Sequence, residues 1–64
     1  MPYAIRLPRT GESEQHRWRT LAQAQEYVER VYAPRYTREP SVEIVNDAQH
    51  VVATWIVRDR EWVR

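Results

Sequence analysis

The stretch that decides the fold is SVEIVNDAQHVVATWIVR, Ser41 to Arg58. Ser41 to Val45 alternates polar and apolar with period two, and Asn46-Asp47-Ala48-Gln49 is built from turn-forming residues. His50 to Arg58 is rich in β-branched and aromatic side chains, so the stretch predicts a β-hairpin. Val51, Ala53, Trp55 and Val57 share one wholly apolar face, expected to meet Val42 and Ile44 in a core. The opposite face carries His50, Val52, Thr54, Ile56 and Arg58 beside Glu43 and Val45, and is mixed.

Working back from the hairpin, Pro34 and Pro40 bracket Arg35-Tyr36-Thr37-Arg38-Glu39, a polar loop that returns the chain to the sheet. Before it, Thr20-Leu21-Ala22-Gln23 has the form of a capping box, in which the Thr20 hydroxyl accepts from the amide of residue 23. At 100° per residue Leu21, Ala24, Tyr27, Val28, Val31 and Tyr32 fall on one side of the helix that follows. Pro34 should end that helix by pushing residue 33 out of the α region. Nearer the amino terminus, Tyr3, Ile5 and Leu7 alternate with Ala4 and Arg6, predicting a first strand over residues 2–8. Residues 9–15 read as a polar loop around the single glycine, Gly11. His16-Arg17-Trp18-Arg19 reads as a short second strand, because Thr20 as an N-cap needs a non-helical backbone. One long helix starting at Ser13 is the competing reading.

The expected fold is therefore α+β, a small antiparallel sheet with one helix packed across one face, in the order β-β-α-β-β. Glu61-Trp62-Val63-Arg64 forms either a short last strand or a tail that lays Trp62 over the core. A chain of 64 residues has room for one thin core, so residues 1–64 are read as a single domain. Three tryptophans and four tyrosines supply apolar area, and the absence of cysteine excludes disulfides and thiolate metal sites. No apolar run reaches the roughly 18 residues of a membrane span and the first residues lack a signal-peptide pattern, so the expected location is the cytoplasm.

One helix covers one face of a sheet, which leaves Val45, Val52 and Ile56 as an apolar strip. Either Trp62 and the tail cover it, the sheet curls over it, or another molecule does. The candidate interface is Val45, Val52, Thr54, Ile56 and Trp62, with a second copy in a homodimer, or another protein, as partner. The alternative is nucleic acid, held by Arg6, Arg17, Arg19, Arg35, Arg38 and Arg58 with Tyr36 offering a stacking ring. Charge opposes it: residues 1–32 hold five arginines and four acids, residues 33–64 five of each, and the net charge is +1.

Chemistry finds few parts. Ser13 and Ser41 lack a nucleophile-elbow context, and Glu12, Glu14 and His16 lack paired-histidine spacing. No cofactor and no metal are expected, and the chain is read as a binding module and not an enzyme. A third reading rests on the start Met1-Pro2, the early strand, and Ser13-Glu14-Gln15 through Ala33-Pro34 to Ser41-Val42. In these the chain resembles the 4-oxalocrotonate tautomerase family, which implies Pro2 as catalytic base once Met1 is removed. Glu12 and Glu43 stand where that family has arginines.

Overall fold

A computed structural model describes residues 2–14 and 17–63. In chain order it holds β1 (Ala4–Arg6), α1 (Leu21–Tyr27), a π-helical turn (Val28–Tyr32), α2 (Ala33–Arg35), β2 (Ser41–Val45), β3 (Val51–Ile56) and β4 (Glu61–Val63). The strands form one antiparallel sheet in the order β1-β2-β3-β4. The expected α+β fold is present, with one shift in its element order. The second strand before the helix is reduced to isolated bridges, Tyr3 to Trp18 and Arg6 to Ser13, on the outer side of β1. The carboxy-terminal segment is a true strand, with Trp62 directly opposite Trp55. His16 lies outside the described residues.

The hairpin forms where its sequence directs. Asn46 closes the turn with its side chain, Oδ1 accepting from the amides of Ala48 (2.9 Å) and His50 (3.0 Å). Gln49 takes the left-handed conformation with φ 64°, the position that glycine fills most easily in three-residue hairpin loops. The register then slips between Ile44 and Val45, so that Ile44 opposes Ala53 while Val45 opposes Val51. A bulge of this kind resets the alternation of side chains. Val51, expected in the core, is consequently 44% exposed.

Thr20 caps α1 as expected, its extended backbone (φ −121°, ψ 153°) allowing Oγ1 to accept from the Gln23 amide at 3.1 Å. The expected stop at Pro34 is not found. Ala33 keeps α-helical angles (φ −60°, ψ −40°) and the helix continues to Arg35. In an α-helix the Pro34 ring would strike the carbonyl four residues back. The chain avoids this by widening to a π turn just ahead of the proline, where the Ala33 amide bonds the Val28 carbonyl five residues back. The added residue keeps Val28, Tyr32 and Ala33 all buried.

The core joins Ile5 and Leu7 of the first strand region to Val42, Ile44, Ala53 and Trp55 of the hairpin and to Ala24, Val28, Tyr32 and Ala33 of the helix. Ile5, Leu7, Val28, Val42 and Ile44 are fully buried, each contributing about 1.5 to 3 kcal/mol over an exposed position. Trp18 packs on this core, half-buried, with its ring 4.8 Å from that of Tyr27. The proline-bracketed loop, expected to stay in solvent, buries Glu39 to 8% exposure; Arg9 reaches both its carboxylate oxygens.

Candidate functional site

Direct cross-strand partners share a face of a sheet, so the register reads out the face that the helix leaves open. One row crosses all four strands: Arg6, Glu43, Thr54 and Val63. A second row holds Ser41, Ile56 and Glu61, and a third begins with Ala4 and Val45 and ends at Val51. Arg6 donates to Glu43 Oε1 from Nη2 (2.8 Å) and Nε (3.2 Å), a half-exposed pair in the first row.

The expected interface residues are not all brought together. Thr54 and Ile56 stand half-buried on the open face. Val45 points to it yet is only 3% exposed, so it offers no accessible surface. Val52, at the bulge, packs against the core cluster. Trp62 lies on the helix side: its ring sits 5.1 Å from that of Trp55 in an edge-on arrangement, and its Nε1–H donates to Glu29 Oε2 at 2.8 Å. In place of these the open face gains Val63, 49% exposed beside Thr54, and Val51. Val63 could have been found by extending strand alternation through residues 61–63 from Trp62. Val51 carried no such signal, because Val51-Val52-Ala53 is apolar throughout.

The arginines are likewise divided. Arg6 is occupied by Glu43. Arg17 and Arg19 are exposed on either side of Trp18, at the outer side of β1. Arg58 follows the end of β3, with β1 and β2 between that strand and the bridge of Trp18. Arg35 ends α2, and Tyr36 is no free recognition ring, since it packs 4.7 Å from Tyr32 and against the core.

Two grooves meet at one end of the sheet. The first, about 750 Å³, lies between the end of the helix and the turn after β3; Ala33, Pro34, Trp55 and Val57 line it, with Arg58 and Arg60 beside them. Glu29 also lines it, with its carboxylate engaged by Trp62. The second, about 570 Å³, shares Thr37 and Arg58 with the first and adds Arg38 and Ile56. Arg60 turns the chain into β4 in the left-handed conformation, φ 54°, its amide donating to the Ile56 carbonyl at 2.8 Å.

An aromatic ladder, half-buried except for the buried Tyr32, runs along the core. Trp18, Tyr27, Tyr32 and Tyr36 follow one another at ring distances of 4.8, 6.4 and 4.7 Å. Burial, then the Tyr36, Glu14 and Glu12 oxygens, push the Tyr32 hydroxyl up to about 12. The Tyr27 hydroxyl, raised by burial first and then by Glu14, donates to Glu14 Oε2 at 3.2 Å.

Among the described residues no group of three or more His, Asp or Glu is placed to hold a metal ion, and no helix is long and apolar enough to cross a membrane. Pro2 is half-buried beside β1, and Glu43, at the strand position where the tautomerase family has an arginine, is held by Arg6. Fold and site together define a small α+β domain with one helix-covered and one open sheet face. Comparison with known protein families, with curated proteins and with solved structures finds no match to this chain.

Proposed function

We propose that this protein is an interaction module that docks a second copy of itself through the helix-free face of its sheet, acting by binding and not by chemistry. The observation that carries this reading is the placement of Val51 and Val63. They are the exposed large apolar side chains among the described residues, and both stand on that face, with the half-buried Ile56 on the same face at the far end of β3. Solvent-facing apolar side chains gathered on one face favour contact with another surface. Arg6, Glu43 and Glu61 flank them with both signs of charge, which suits a two-fold contact that sets one patch against its own copy. A net charge of +1 gives little long-range repulsion between copies.

Sedimentation equilibrium tests this. The wild type is expected to dimerise, and Ile56→Glu and Val63→Glu are each expected to weaken the dimer by more than about tenfold, since each would bury an unpaired carboxylate. A wild type that stays monomeric at every loading concentration sinks the reading, as do variants that dimerise like the wild type.

A further inference from the structure

We propose that the groove between the end of the helix and the turn after β3 binds an acidic peptide segment of a partner protein, one that carries a bulky apolar side chain among its carboxylates. The groove itself lies off the open face, which only its extension touches, at Ser41 and Ile56, and it does not rest on self-association. Its lining has the two parts such a ligand needs. Pro34 and Val57 offer apolar surface above the buried Ala33 and Trp55, and Arg58 and Arg60 stand beside it. Both arginines are available. The Arg58 side chain is 89% exposed, with only its neighbour Asp59 at 3.5 Å, and Arg60 forms no ion pair among the described residues. The groove's own acid, Glu29, is already engaged by the Trp62 indole.

The volume of about 750 Å³ falls within the range of ligand pockets. The adjoining groove extends it past Arg58 to Arg38, so an extended segment meets a third guanidinium on its way over the sheet end; the acid there, Glu39, is held by Arg9. Guanidinium forks match carboxylates in bidentate geometry. The shape is built by two local departures from regular backbone, the π turn ahead of Pro34 and the left-handed Arg60. Nucleic acid fits less well. Single strands stack bases on exposed rings, whereas Trp55 is buried and Tyr36 is half-buried, packed against Tyr32. Arg17 and Arg19, which a phosphate track would need, lie beyond the opposite edge strand.

The experiment is fluorescence anisotropy with a fluorescein-labelled Glu-Glu-Leu-Glu-Glu peptide, its Gln-Gln-Leu-Gln-Gln counterpart, and a labelled oligothymidine strand. The acidic peptide is expected to bind, with affinity falling as salt rises. Arg58→Glu and Arg60→Glu, checked for folding by circular dichroism, should each weaken it by about tenfold. Val63→Glu, on the open face, should leave it unchanged, which separates this site from the dimer contact. The proposal is overturned by equal binding of the neutral peptide, by tighter binding of the oligothymidine, by charge-reversal variants that bind like the wild type, or by no anisotropy change up to about 1 mM peptide.

Discussion

Trp62 donates its indole N–H to Glu29 across 2.8 Å, and so fastens β4, the edge strand, to the exposed side of the helix. The same ring meets Trp55 edge-on at 5.1 Å, so one side chain joins strand, sheet face and helix. β4 is three residues long, and a strand that short is held chiefly by what its side chains touch. Trp62→Ala should therefore cost about 2 to 3 kcal/mol in urea denaturation, below the full-burial range because the ring is half-exposed. Trp62→Phe should cost less. Both variants should lose the coupled tryptophan signal in circular dichroism that two rings at this distance and angle produce.

Backbone strain gives a second expectation. Gln49 and Gly11 both sit at positive φ, 64° and 78°, but only one is glycine. Gln49→Gly should raise stability by about 0.5 kcal/mol by relieving the left-handed strain. Gly11→Ala should lower it by about 1 kcal/mol, although a Cβ at Gly11 would meet nothing within 4 Å. Thermal melts of the two variants check the pair, and equal shifts of one sign would contradict it.

Alkaline titration should reveal the tyrosine ladder. The Tyr32 hydroxyl is raised from 10.0 to about 12, chiefly by burial, whereas in the unfolded chain it ionises near its ordinary value. The unfolded state thus loses its proton first, and stability that is complete below pH 10 is lost as pH climbs from about 10 toward 12. Tyrosinate absorbance should show a late-titrating group that Tyr32→Phe removes, and that variant's stability should fall less steeply over the same window.

Arg9 and Glu39 form a further test. Arg9→Ala would leave a carboxylate of 8% exposure without its bidentate partner, and a buried unpaired charge is costly. The denaturation midpoint should fall further for Arg9→Ala than for the double variant Arg9→Ala/Glu39→Met, in which the charge is gone too.

The parts of this molecule that are legible in sequence are those where one local rule acts alone. Thr20 caps because its hydroxyl reaches the Gln23 amide whatever the tertiary context, and Ser41 to Ile56 pairs because alternation and turn chemistry agree. Pro34 reads as a stop because the rule against proline in helices assumes α-helical spacing, and a π turn removes that assumption. Val51 reads as core because three successive apolar residues conceal the phase shift of a bulge. Glu39 reads as solvent-facing because its partner, Arg9, is thirty residues away and no local pattern joins them. The open face was legible through Thr54, Ile56 and Glu43. Its exposed contacts, Val51 and Val63, depend on the bulge and on the pairing of β4, which only the folded chain reveals.

The measurement closest to the central claim is an isotope-filtered nuclear Overhauser experiment on a mixture of labelled and unlabelled protein. Self-docking through the open face predicts intermolecular contacts to the methyl groups of Val51, Ile56 and Val63, with none to the buried Val28 or Val42. Intermolecular contacts confined to the helix side, or their complete absence at high concentration, would contradict the account.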